Sequence, residues 1–166
     1  MIEGYKCFNA DFTNQYGKKF EVGKIYTATG KIKFKNNGFH LCTYIEDVFR
    51  FFDAKNKEII ICKVKGTGNF SSSNDEYNGY FDMYSVEKIE IIKKLTREEI
   101  IQIGLSLNDD RAFRFIQGYT LTQEEIKMFK TKFSNSLKIL KAIAYYQEGN
   151  KTIYENEYKK LIKRKK

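Results

Sequence analysis

The residues with the greatest capacity for chemistry lie close together in this sequence. His40, the only histidine, stands two positions from Cys42, and Tyr5-Lys6-Cys7 lies upstream of both. Residues two apart on a strand share a face, so the imidazole of His40 and the thiol of Cys42 are expected to point the same way. With Cys7 and Cys62 on other strand-like runs, a Cys3His zinc site can be drawn. Zinc ligands, however, usually come as C-x₂₋₄-C pairs that seat two ligands on one turn, and that spacing is missing. A hydrogen-bonded structural histidine beside buried thiols is therefore favoured, with no metal. A Cys/His nucleophilic pair also needs an orienting acid, which Cys42 and His40 do not supply. Gly66-Thr67-Gly68-Asn69 is glycine-rich but lacks a Walker Lys-Ser/Thr and opens no helix, so it reads as a loop ending a strand. No cofactor is expected.

The elements that must position these residues change character near residue 95. Before it the period is two: 5–8 and 24–29 read as strands, and 20–23 as a strand or turn. Lys31-Ile32-Lys33-Phe34-Lys35 reads as a half-exposed strand with its three lysines on one face. Asn36-Asn37-Gly38 follows as a tight turn, since Asn and Gly tolerate positive φ. Thr43-Tyr44-Ile45-Glu46 has capping-box spacing and predicts a short helix to about Phe52. Further strands are expected over 58–64 and 80–92, with a polar loop at 71–75. After Thr96 the period becomes 3.6. Thr96/Glu99, Thr122/Glu125 and Thr152/Glu155 repeat the capping-box spacing, and Asn108-Asp109-Asp110 is an acidic helix start. Ile126, Phe129, Phe133, Leu137, Leu140 and Ala144 predict one helix over 123–147 with a single buried stripe. Gly118 and Gly149 read as helix stops. The expected fold class is α+β: a β-rich domain over 1–95 with one inserted helix, then a helical segment over 96–166 of three to four helices.

Among 166 residues, 42% are hydrophobic and 26 are Phe or Tyr, enough for a folded core rather than a disordered chain. No run approaches the roughly 18 apolar residues needed to span a bilayer, and the N-terminus lacks the plan of a signal peptide. Three cysteines without a paired spacing fit reduced thiols. These features place the chain in the cytoplasm, without a membrane partner. The net charge of +9 is uneven. Residues 1–95 carry 15 basic and 12 acidic side chains, residues 96–150 carry 8 and 7, and residues 151–166 carry 7 and 2. The body is nearly balanced and the end is basic, which is a narrower nucleic-acid signal than a basic face.

The blocks Tyr5-Lys6-Cys7-Phe8-Asn9, Phe20-Glu21-Val22-Gly23-Lys24-Ile25-Tyr26, Gly38-Phe39-His40-Leu41-Cys42 and Asp47-Val48-Phe49 occur in order. Together they resemble a family of small uncharacterised domains common in phages, prophages and Firmicutes genomes, over about residues 4–95. The resemblance implies a mobile-element origin, an N-terminal α+β fold and, for a phage product, the host cytoplasm. A more distant resemblance is to ADP-ribosyltransferases, which use NAD. It implies that Lys6 would hold the dinucleotide, that the block at His40 would pack the nicotinamide, and that Glu87 or Glu90 would steady the ribose as oxocarbenium character develops. Lys6 there replaces an Arg or His, and His40 a Tyr or Ser.

Three functional classes follow. The leading one is a non-enzymatic binding protein of mobile-element origin, docking on a host protein, a ribonucleoprotein complex, RNA or DNA, and inhibiting a host defence system. Its contact residues would be Lys31, Lys33 and Lys35, the tyrosines Tyr77, Tyr80 and Tyr84, and Lys159, Lys160, Lys163 and Arg164 in the tail. The alternatives are the NAD-using enzyme and a structural module that oligomerises through the 123–147 stripe.

Overall fold

A computed structural model describes residues 1–72 and 82–152. Tyr77, Tyr80, the capping box at Thr152/Glu155 and the tail cations Lys159, Lys160, Lys163 and Arg164 lie wholly or partly outside the described residues. The chain forms two compact units, Met1–Ile100 and Ile101–Lys166, and has mixed α/β architecture.

The first unit is a closed, barrel-like antiparallel sheet of β1 (Ile2–Asn9), β2 (Ile25–Thr27), β3 (Phe39–Cys42), β4 (Ile59–Ser72) and β5 (Met83–Lys94). Strand β4 pairs with β1 on one edge and β5 on the other. On its far edge β5 takes β3 and then β2, and the Tyr5↔Cys42 pairing of β3 with β1 closes the circuit. Closure removes the unpaired edges that an open sheet of this length would expose. Phe8, Phe20, Leu41, Val64, Val86 and Ile89 fill the interior, with Phe39 and Tyr84 packed against them. Phe8, Phe20, Tyr26 and Phe39 form a chain of rings whose successive centroids lie 4.7 to 6.4 Å apart.

Several expectations are corrected here. Gly66-Thr67-Gly68 does not end a strand, because β4 continues to Ser72. Gly66 is a point of close approach: a Cβ there would lie 2.7 Å from Val86 and 2.8 Å from Leu41. Gly68, at φ +79°, supplies the left-handed residue of a bulge between Thr67 and Phe70. The segment 31–35 is not a strand either. It turns so that Phe34 is buried, with Lys33 bridging to Asn37 and Lys35 at φ 63°. The Asn37 amide donates to the carbonyls of Thr29 and Lys31, groups that a strand partner would otherwise have bonded. The turn is thus centred on Lys35 rather than on Asn36-Asn37-Gly38.

The inserted helix is α1 (Ile45–Val48), shorter than expected. Thr43 is not its cap, since its N–H donates to the Asp82 carbonyl and keeps it in line with β3. Tyr44 is the N-cap and makes no side-chain cap bond.

Helix α2 (Arg97–Ser106) starts with a reciprocal Thr96/Glu99 capping box. In the second unit α3 (Asp109–Gly118) is capped by Asn108, and α4 (Gln123–Lys132) by the Thr122/Glu125 box. The expected 123–147 helix is two helices: α4 ends at Lys132 and α5 (Leu137–Tyr146) begins after Ser136. Ser134, Asn135 and Ser136 offer the backbone competing side-chain bonds, and Ser136 accepts from the Ile139 N–H to start α5. The stripe is broken accordingly. Leu137 is 64% exposed, while Ile139, Ala142 and Ile143 are buried. Phe115 stacks on Phe129 at 5.7 Å in the core of this unit.

Candidate functional site

A cavity of about 500 Å³ opens against β1 and β3. Its walls are Tyr5, Lys6 and Cys7 from β1, Phe39 to Cys42 from β3, Met83 from β5, and Val48, Phe51 and Phe52 at and beyond the end of α1. Asn14, Gln15 and Tyr16 close one side, and Lys35, Asn36 and Gly38 another. The 14–18 loop is held by Asn14, whose Oδ1 accepts from the N–H groups of Tyr16 and Lys18. Tyr16 remains 79% exposed and Phe51 46%, so two aromatic side chains of the wall also face solvent.

Lys6 is the unusual wall residue. Gly4, Lys6 and Phe8 share one face of β1 by strand alternation, and Phe8 is fully buried, so a lysine sits on a core-facing row. Its Nζ donates to the His40 carbonyl at 2.8 Å and lies 5.8 Å from the Phe8 ring centroid. Among the described residues no carboxylate pairs with it. Burial lowers its pKa from 10.5 to about 8, with the Cys42 and Cys7 thiols acting in the opposite sense.

His40 is fixed by its surroundings. Its Nε2 accepts from the Lys35 N–H at 3.1 Å, and its ring meets Phe34 edge-on at 5.7 Å. An accepting Nε2 puts the proton of the neutral ring on Nδ1. Burial first, and the Lys6 charge second, lower its pKa to about 4, so it is neutral at physiological pH. Burial also pushes the Cys7 thiol up and raises Cys42 and Cys62 to about 12, with Asp47 adding to the effect at Cys42. Thiols held this far from ionisation are poor nucleophiles, and among the described residues no cluster of three or more metal-ligating side chains occurs. The three thiols are therefore not poised for nucleophilic attack.

Of the residues singled out in the sequence, Lys6, His40 and Cys42 meet at the cavity, and Lys35 joins them. Lys31 and Lys33 are exposed on the adjoining turn. Glu87 and Glu90 are elsewhere: Glu87 accepts from the Asn69 N–H and amide at the β4 bulge, and Glu90 pairs with Ile25 and Lys65 across β5. The four residues of the ADP-ribosyltransferase resemblance therefore do not border one cavity. Tyr84 packs on the core and against Phe70. Sequence reasoning missed Tyr16, Phe51 and Met83, as well as the burial of Glu46 and Asp47 at 2% exposure each. Asp47 lies 3.5 Å from the Arg50 Nε, a pair whose i,i+3 spacing was a readable signal.

A family model described as "Domain of unknown function (DUF7666)" matches residues 2–103. The chain belongs to this family. The matched DUF7666 segment contains the whole barrel and every residue of the cavity, whereas most of the helical unit lies beyond it. No curated protein matches the chain. No helix of the described residues is long and apolar enough to cross a membrane.

Proposed function

We propose that this DUF7666 protein is a non-enzymatic binding protein that docks on single-stranded nucleic acid, free or within a host nucleoprotein complex. The observation that carries the reading is the edge of the cavity. Lys31, Lys33 and Lys35 stand on one turn beside it, and Tyr16 and Phe51 are exposed aromatics in its wall. Lysines supply salt-dependent contacts to phosphates, and exposed rings supply stacking surfaces for bases. The tail residues Lys159, Lys160, Lys163 and Arg164 would add further salt-dependent phosphate contacts. A mobile-element origin and an inhibitory role against a host defence system belong to this proposal through the sequence resemblance.

The test is fluorescence anisotropy with single-stranded RNA and DNA oligonucleotides at stepped salt. Wild-type affinity should fall with salt, and Lys31→Gln/Lys33→Gln should flatten the log–log slope by on the order of one. Tyr16→Ala should weaken binding without changing that slope. Absence of binding to either nucleic acid, or an unchanged slope in the double variant, sinks the reading.

A further inference from the structure

We infer that the interior of the cavity is a small-molecule site for a ligand with an apolar, aromatic body and one anionic group, carboxylate or phosphate, seated on the Lys6 ammonium. This goes beyond the nucleic-acid reading, which concerns the rim, and does not depend on it.

Three observations carry the inference. An ammonium has three donors, and the structure gives Lys6 one acceptor, the His40 carbonyl at 2.8 Å. Among the described residues no acid neutralises it, and its neighbours are the Phe8 ring and the thiols of Cys7 and Cys42. Lys6 is half-buried, and a charge drawn partly out of water is normally paired because desolvating it alone is costly, so an anion brought by a ligand completes what the chain leaves open. Second, a volume of about 500 Å³ lies within the roughly 300–1,000 Å³ of small-molecule sites. Phe39, Leu41, Val48, Phe52 and Met83 supply the apolar lining such sites share. Third, His40 is held by the Lys35 N–H and Phe34 and is neutral. It adds polarity to the wall without a second charge, which suits a ligand with a single anionic group.

The probes are 2-naphthoate and 1-naphthyl phosphate, each beside an uncharged counterpart, 2-naphthamide and 1-naphthol. Binding to the full chain is followed by titration calorimetry and by amide shifts in NMR spectra. At pH 7 the anions should bind at least tenfold more tightly than their counterparts, with shifts centred on Cys7, Phe39 and Leu41. Lys6→Met, with its fold checked by thermal melting, should lose the preference while still binding the uncharged probes.

If Lys6→Met fails to fold, the wild type provides the second measurement. The preference for 2-naphthoate over 2-naphthamide, neither of which changes charge between pH 7 and 9, should decline across that window as the ammonium loses its proton. The groups facing Lys6 do not titrate in that window: His40 is neutral throughout, and the Cys7, Cys42 and Cys62 thiols stay protonated. Lys35 in the cavity wall is checked separately with Lys35→Gln, which should keep the preference. Equal binding of charged and uncharged probes, no saturable shift with any of the four, a preference that survives Lys6→Met, or one that is flat from pH 7 to 9 overturns the inference. Lys31→Gln/Lys33→Gln leaves the cavity lining intact, so failure of the rim reading and failure of this one appear in different variants.

Discussion

Replacing Lys6 by Met should stabilise the protein. The substitution keeps an unbranched side chain of similar length and removes the half-buried charge together with its hydrogen-bond donors. The fall of the Lys6 pKa from 10.5 to about 8 is a free energy: at about 1.4 kcal/mol per pH unit, burial disfavours the charged amine at pH 7 by about 3 kcal/mol. Against this, the variant loses the hydrogen bond to the His40 carbonyl, worth roughly 1 kcal/mol net. The expected gain is therefore about 2 kcal/mol at pH 7, read as a higher midpoint in urea with an unchanged slope. The pH dependence provides an internal control. The folded pKa lies below the unfolded one, so the unfolded chain binds more protons between pH 8 and 10.5, and wild-type stability should climb across that window. The Met variant lacks this climb, and its advantage should vanish above pH 10.5. A Met variant less stable than wild type at pH 7, or one that climbs in parallel with it, would refute the reasoning, because either result means the ammonium is satisfied in the folded protein. Stability given up to hold one charge is what a binding site requires and a core does not.

Other perturbations test the surrounding structure. Gly66→Ala should cost about 1–3 kcal/mol by overpacking, since its Cβ would lie 2.7 Å from Val86 and 2.8 Å from Leu41; an unchanged urea midpoint would show that the β4–β5 contact is looser than described. His40, lowered from 6.5 to about 4, leaves the unfolded chain binding the extra proton between those values. Wild-type stability should therefore fall by up to about 3 kcal/mol as pH drops through the window, and His40→Gln, which keeps an acceptor for the Lys35 N–H, should flatten that limb in urea melts. Cys7, Cys42 and Cys62 are buried, with raised pKa values. Ellman's reagent should detect none of them in the native protein at pH 7.5 and all three after unfolding in guanidinium chloride; rapid native labelling would contradict their burial.

How far the fold could be read from the sequence depended on whether the signal was local. The shift of period near residue 95 separated a β-rich region from a helical one, because alternation and 3.6-residue spacing are properties of adjacent residues. The Thr96/Glu99 and Thr122/Glu125 boxes form for the same reason: both partners lie within one turn. Thr43/Glu46 has identical spacing and fails, because the Thr43 N–H is engaged by Asp82, thirty-nine positions away. The lysine triplet at 31–35 fails likewise. Alternation predicts a strand, but burying the single Phe34 ring is worth more than exposing it on an edge. The 123–147 stripe was sound as far as Phe133, and Ser134-Asn135-Ser136 was a visible break that the apolar count outweighed.

The candidate site divides in the same way. His40, Cys42 and Lys6 could be singled out by residue type, and the row of Gly4, Lys6 and Phe8 already put a lysine on a core-facing strand position. What the sequence cannot express is that no acid among the described residues serves as its counter-ion. Twelve acidic residues lie within 1–95, and any of them could have folded onto Lys6. Closure of the sheet instead sends Glu87 to the β4 bulge and Glu90 to a cross-strand pair, while Glu46 and Asp47 act on the Cys42 thiol. Among the described residues no acid pairs with the lysine, and where those acids fall is decided by the closed sheet rather than by any local run of sequence. An anion supplied from outside is the partner we infer for it.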